Sequence, residues 1–287
     1  MMSMLFLNLV LSRASLGRII EVLDEVPDIQ NGENPVREIP DGSIDFDDVY
    51  FNYKKDSDNY ILSDVNLHIK SGETIGIIGG TGSAKSTLVQ LIPRLYDVSR
   101  GKVCVGGHDV RDYDIEALRD AVAMVLQKNV LFSGSIRDNL RWGDKNATQE
   151  EIEAACRAAQ AHDFIMSFPN GYDTDLGQGG VNVSGGQKQR LCIARALLKH
   201  PKVVILDDST SAVDTATDAS IRRALRDEFN HITTLIIAQR IASVMDADRI
   251  VVLNDGRIED VGTHDELMAR SEIYREVYTS QMKGAEA

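Results

Sequence analysis

Cysteine is scarce in this chain: three in 287 residues, at Cys104, Cys156 and Cys192, with no CxxC or Cys/His spacing. That excludes a disulfide framework and a zinc site and fits reduced cytosolic thiols. None of the six histidines stands at ligand spacing from a Cys, Asp or Glu, so all read as structural or surface residues. A basic excess is also missing. Thirty-one Lys and Arg against 44 Asp and Glu leave a net charge of −13, which argues against a nucleic-acid partner. Long hydrophobic runs are absent as well. The apolar stretch near the start, Met4 to Leu11, is well below the ~20 residues of a membrane-spanning helix. It lacks the basic region and cleavage site of a signal peptide, and the chain as given is expected to be soluble. No internal period, low-complexity segment or coiled-coil heptad appears. What remains is ordinary globular composition, 43% hydrophobic and 26% charged, and enough length for one large domain or two small ones.

Leu16, Ile19, Ile20, Leu23 and Val26 recur at helical spacing, so residues 4–26 are expected to form one amphipathic helix ended by Pro27. Residues 27–42 hold three prolines and two glycines without periodicity and read as a linker. The pattern then changes. Residues 45–53 and 65–69 alternate as strands of a half-exposed antiparallel sheet. Thr74–Ile78 is a short apolar run feeding a glycine loop, hence a buried strand followed by a helix from Lys85. Residues 122–126, 203–207 and 232–237 are further buried-strand candidates, and roughly 135–200 is helix-rich. The sum is an α/β core, a small antiparallel sheet and a helical insert between Gln127 and Pro201.

The loop reads Gly79-Gly80-Thr81-Gly82-Ser83-Ala84-Lys85-Ser86-Thr87. Glycines let such a loop curl so that its N–H groups face phosphate oxygens, while the next helix offers its positive N-terminus. Lys85 is placed to reach β/γ-phosphates and Ser86 to ligate Mg²⁺. Ala84 stands where the pattern expects a glycine, so its methyl is expected to crowd the phosphates or to disfavour a positive φ. Val203–Asp207 is a buried strand ending in a carboxylate suited to Mg²⁺, mostly through water. Ser184-Gly185-Gly186-Gln187 opens a helix expected over Gln187–Leu198, whose first N–H groups can grip a phosphate.

Phosphate loop, SGGQ run and apolar strand ending in Asp207-Asp208 together resemble the nucleotide-binding domain of an ABC (ATP-binding cassette) transporter, over about residues 12–283. The resemblance implies an α/β P-loop NTPase core of the ABC ATPase type with an antiparallel β subdomain and a helical subdomain at about 128–200. It implies ATP and Mg²⁺ as cofactors, with Gly79–Thr87 and Asp214 among the nucleotide-binding residues and Ser86, Gln127 and Asp207 around the metal. Gln127 resembles the Q-loop glutamine and Ser211-Ala212-Val213-Asp214 the D-loop. Tyr53 is placed like the aromatic that stacks on adenine, with Tyr60 as the competing candidate. Ser184–Gln187 would bind the γ-phosphate held by a second subunit's loop, although Val183 replaces the usual leucine. Leu176–Gly180 occupies the place of a loop that usually carries Glu and Arg, and lacks both.

Two positions depart from the family's catalytic pattern. Asp208 stands for the usual glutamate and is one methylene shorter, so it is expected not to reach the attacking water without rearrangement. Gln239 stands for the switch histidine, and a glutamine cannot carry the imidazole's proton or charge. Lys85, Gln127, Asp208 and Gln239 are the implied catalytic set. Together the two departures resemble the degenerate half of a heterodimeric exporter, an ATPase weak at its own site. The first 26 residues resemble the cytosolic end of the last membrane helix of ABC exporters, which implies a transmembrane domain and a second nucleotide-binding domain as partners, at the cytoplasmic face of a membrane. The alternatives are a non-hydrolytic ATP-binding regulatory subunit and a soluble ATPase of DNA repair or translation; the acidic balance counts against the latter.

Overall fold

A computed structural model describes residues 2–54, 59–208 and 213–285. It contains two compact units, Met1–Gln30 and Asn31–Ala287. The first carries helix α1, Met2–Leu23, which stops short of the expected Val26. Taken whole, α1 has the length, about 33 Å, and mean hydropathy, 1.3, to cross a membrane, a criterion that buried core helices and signal sequences also meet. Phe6, Val22 and Leu23 on it are each more than 70% exposed.

The second unit begins earlier than a free linker up to residue 42 would suggest. Val36 donates to the Asp112 carbonyl and its own carbonyl accepts from Asp114, while Thr233 Oγ1 donates to Gly42 O. Its elements run in this order: β1 Ile44–Phe51, β2 Leu62–Ile69, β3 Thr74–Ile78, α2 Lys85–Gln90, β4 Arg100–Val105, β5 His108–Asp109, α3 Ile115–Ala121 and β6 Val122–Val125. They continue with β7 Gly134–Ser135, α4 Ile136–Leu140, α5 Gln149–Ala158, α6 His162–Met166, β8 Asp175–Leu176, α7 Gly185–Leu197, β9 Val203–Asp207 and α8 Thr215–Glu228. β10 Thr233–Ile237, β11 Arg249–Asn254, β12 Arg257–Gly262, α9 His264–Arg270 and α10 Glu272–Ala285 complete the chain, with short 3₁₀ turns at Gly171–Asp173 and Ile241–Ser243.

Three sheets form: β2-β1-β4-β5 antiparallel, β12-β11-β3-β10-β9-β6 mainly parallel, and the β7-β8 ribbon. The central strands β9 and β10 are buried at every position, as parallel strands covered on both faces must be. Their alternate side chains feed two cores. Ile75, Ile77, Val203, Ile205, Leu235 and Ile237 pack with the antiparallel sheet and α2, whereas Ile78, Val204, Leu206 and Ile236 pack with the helices α4 to α8.

The helical stretch is punctuated by its caps. Ser135, Thr148, Ser184 and Thr263 each close a reciprocal capping box, which fixes where α4, α5, α7 and α9 begin. The β11–β12 hairpin, absent from the sequence reading, turns on Asp255 (φ 45°) and Gly256 (φ 73°), the two-residue turn with both central φ positive.

Candidate functional site

The phosphate loop emerges from β3 and runs into α2. A Cβ on Gly79 would lie 2.1 Å from the Leu253 carbonyl, so the chain there needs glycine for space. On the opposite side, a Cβ on Gly80 or Gly82 would meet nothing within 4 Å, which leaves that face of the loop open to a ligand. Ala84 caps α2 in the left-handed region, φ 70° and ψ 22°. It is partly buried and packs against the hydrophobic cluster that includes Leu88 and Val89 of α2. Of the two expectations for Ala84, the one about the backbone is met: the residue does take a positive φ.

Lys85 Nζ donates to the carbonyls of Gly79 and Gly80, both at 2.8 Å, and approaches Ser83 Oγ at 3.3 Å. Burial holds its pKa below the usual lysine value, opposed by the charges of Asp207 and Asp208. Ser86 Oγ donates to Asp207 Oδ1 at 3.1 Å. A hydroxyl and a carboxylate joined this way make a hard oxygen pair that fits Mg²⁺. Among the described residues no cluster of three or more His, Cys, Asp or Glu forms a metal cage.

Asp208 sits at the end of β9 with φ 47°, and its N–H donates to the Ile237 carbonyl on neighbouring β10. Its Oδ2 accepts two amide protons, from Gln127 Nε2 at 2.9 Å and Gln239 Nε2 at 2.8 Å. A carboxylate takes only donors, which fixes both amide orientations. Burial raises the pKa of Asp207 and of Asp208; for Asp208 the neighbouring Asp207 adds to it and the two amides oppose it. Because Asp207 and Asp208 are consecutive, the Ser86–Asp207 pair and the Gln127–Asp208–Gln239 network stand side by side, and Lys85 feels the charge of both carboxylates. Gln239 enters that network as a donor to a carboxylate, a contact the sequence did not announce.

Other expected residues lie apart from that network. Ser184 Oγ accepts from Gln187 N and Gln187 Oε1 from Ser184 N, so both side chains close the first turn of α7. Ser184 and Gly185 are exposed, leaving this helix end open. Asp214 caps α8 by accepting from Thr217 N at 3.0 Å, which holds its pKa low. Ser211 and Ala212 lie outside the described residues. Thr87 joins Tyr53: the two hydroxyls are 3.1 Å apart, and the Tyr53 ring stands edge-on to Phe51 and Tyr96, with centroids at 4.9 and 5.0 Å. Tyr60 packs instead on Tyr50, at 5.2 Å. Tyr96 was not foreseen; no local pattern marks a tyrosine that joins Tyr53 only through folding.

Comparison with known proteins supplies the context. The ABC transporter family profile matches residues 62–211. A Bacillus subtilis protein that carries the name multidrug export ATP-binding/permease protein YgaD is 45% identical over 271 residues, 94% of this chain and 47% of its own length. A Staphylococcus aureus protein of the same description is 45% identical over 265 residues, 92% of this chain and 46% of its own. Among solved structures, a bacterial Atm1-family ABC exporter with ATP bound superposes with a TM-score of 0.88 at 34% identity, over 93% of this chain and 46% of that one. The chain thus spans about half the length of the relatives it matches. Its α/β core, antiparallel sheet and helical layer are those of an ABC ATPase, and the chain belongs to the ABC transporter family.

Proposed function

We propose that this chain is the ATP-binding part of an ABC exporter, that it holds Mg-ATP on its phosphate loop, and that it hydrolyses it slowly at that site. The observation that carries the reading is the pairing of Lys85, Ser86 and Asp207 with the Gln127–Asp208–Gln239 cluster. The groups that hold nucleotide are all present. The groups that would act on water are a shortened carboxylate and an amide.

In this reading Lys85 exchanges its loop carbonyls for β/γ-phosphate oxygens, and Gly79–Thr87 wrap the phosphates with their N–H groups. Tyr53 stacks on adenine beside Thr87. Ser86, Asp207 and the Gln127 oxygen hold Mg²⁺, which when bound neutralises charge on the phosphate oxygens. Both amides bind Asp208 at Oδ2, which leaves Oδ1 to accept the proton of the attacking water after the rearrangement that its shorter stem requires. Gln239 donates a hydrogen bond where a histidine would also bear charge, and loss of a positioned base lowers rates by about 10²–10⁴.

Residues 1–26 are read as the end of a membrane-domain helix or an amphipathic helix, 27–42 as a linker whose later part is pinned to the ATPase domain at Val36 and Gly42, and 43–283 as that domain, with its helical part at about 128–200. Ser184–Gln187 and Asp214 then face a second nucleotide-binding domain, in a heterodimer whose partner supplies the competent site. The chain's other partner is the transmembrane domain of an exporter, and the ATPase works at the cytoplasmic face of the membrane. The names of the relatives, ATP-binding/permease proteins of multidrug export, support this placement.

The test is Mg-ATP turnover by the natural chain beside the Asp208→Glu/Gln239→His double variant, after both are shown to bind ATP. Near-silence in the first and a gain of about 10²–10⁴ in the second is expected. Equal rates refute the impaired-site reading. A second reading, a non-hydrolytic regulatory subunit, is favoured by the double occupation of Asp208 Oδ2. ATP-dependent dimerisation without phosphate release would select it.

A further inference from the structure

We propose that Gln281, on α10, is a positioning residue for Gln239: its amide clamps the backbone on both sides of Arg240 and so holds the Gln239 side chain against Asp208. The inference deepens the reading given above and rests on it for its kinetic part only.

The clamp has two jaws. Gln281 Nε2 donates to the Gln239 carbonyl at 2.7 Å, and Gln281 Oε1 accepts from the Ile241 amide at 2.9 Å. A side-chain amide presents a donor and an acceptor side by side, as a neighbouring strand would. Glutamate lacks the donor and lysine the acceptor, so the chemistry of the site calls for an amide. The segment it grips has left β10. Ala238 N still donates to Ile77 O, but beyond it the chain is held by no sheet.

Both sides of the grip are anchored. Tyr274, Tyr278 and Gln281 follow one another at i, i+4 and i+7, one face of α10. Tyr274 is fully buried with its hydroxyl 2.7 Å from His264 Nδ1, and Tyr278 packs against the core. The turn after Gln239 is fixed from its other side: Ser243 Oγ donates to the buried Asp218, whose Oδ2 also accepts from Arg222, and Arg222 reaches on to Asp246. With α10 and α8 both fixed, the Gln239–Ile241 backbone has one seat, and from it the Gln239 amide meets Asp208 Oδ2 at 2.8 Å. Without Gln281, the Gln239 carbonyl and Ile241 N–H turn to water and the side chain loses its fixed origin.

The test uses the full chain. The Gln239 side-chain amide is followed by NMR and the Ile241 backbone amide by hydrogen exchange. Gln281→Met, which keeps the stem and removes both bonds, is expected to move the Gln239 amide signals toward those of free glutamine and to speed Ile241 exchange at least tenfold. Gln281→Glu is expected to keep Ile241 protected while still releasing Gln239; it decides the matter where the Met variant loosens α10. Unchanged Gln239 signals in Gln281→Glu overturn the proposal. In turnover, Gln281→Met is expected to lower kcat at least threefold with KM unchanged, and to add nothing in a Gln239→Ala background. An equal effect in both backgrounds marks Gln281 as merely structural and overturns the proposal. If Gln239 is released as expected in a chain with no measurable turnover, the hydrolytic reading fails and the positioning role stands.

Discussion

Ala84 occupies a left-handed position at the entrance to α2, and replacing it with glycine sets three terms against one another. An L-residue in this region is strained by about 1–2 kcal/mol, and Ala84→Gly removes that strain. Against it, glycine widens the unfolded ensemble by about 0.4–1 kcal/mol. The variant also loses a methyl packed on the cluster around α2, worth at most about 0.8 kcal/mol because Ala84 is only partly buried. The terms nearly cancel, so stability is expected to change by no more than about 1 kcal/mol. Because Ala84 packs on that cluster, Mg-ATP affinity is expected to change less than about threefold, roughly 0.6 kcal/mol. Ala84→Val is the opposite case: a β-branched residue at φ 70° is a genuine outlier, expected to lose about 2 kcal/mol or more. Denaturant unfolding and titration with a fluorescent ATP analogue read both variants. A tenfold gain in affinity for Ala84→Gly would show that the methyl crowds the phosphates, and a neutral Ala84→Val would refute the strain argument.

Tyr53→Ala is expected to weaken adenine-nucleotide binding by about 1–3 kcal/mol, the range of base–aromatic stacking, while Tyr60→Ala leaves it unchanged; calorimetric titration decides, and equal losses would remove the assignment of Tyr53. Asp207 has a raised pKa in the folded chain, so its charge opposes folding where both states are ionised, and that penalty disappears as pH falls through the folded value toward the unfolded one. Asp207→Asn is therefore expected to raise the stability of the nucleotide-free chain at pH 7, with a gain that fades at acid pH above about 3.9, the ordinary aspartate value, and to abolish the extra stabilisation by Mg-ATP. A gain independent of pH would mean that packing, not charge, is responsible.

What the sequence made legible is what depends on neighbours along the chain. The loop 79–87, the strand ending in Asp207-Asp208 and the capped start of α7 are each written in consecutive residues, because turn chemistry, burial on both faces and a capping box are local. The helix opened by SGGQ begins at Gly185, two residues before the expected Gln187, since Ser184 and not the glycines forms the cap. The β11–β12 hairpin carries a local signal, Asp255-Gly256 directly after the apolar run Ile250–Leu253. The Tyr53–Tyr96 and Gln239–Gln281 contacts carried none. A tyrosine in a loop or a glutamine on a helix face has no periodicity that names its partner, and only the folded chain joins them.

One strand end sets two clearances at once. The Leu253 carbonyl on β11 stands where a Cβ of Gly79 would be, and three residues on, the Gly256 turn meets the antiparallel sheet, where a Cβ would fall 1.9 Å from Ile61 O. Ser63 N donates to Gly256 O at 2.9 Å and closes that join. β11 therefore works as a spacer between the phosphate loop and the sheet that carries Tyr53. It makes the distance from the aromatic to the loop a property of backbone against backbone, which side-chain substitutions elsewhere in either sheet leave untouched. In the proposed reading, the span from base to phosphates is matched by a separation fixed at Gly79 and Gly256, backbone against backbone.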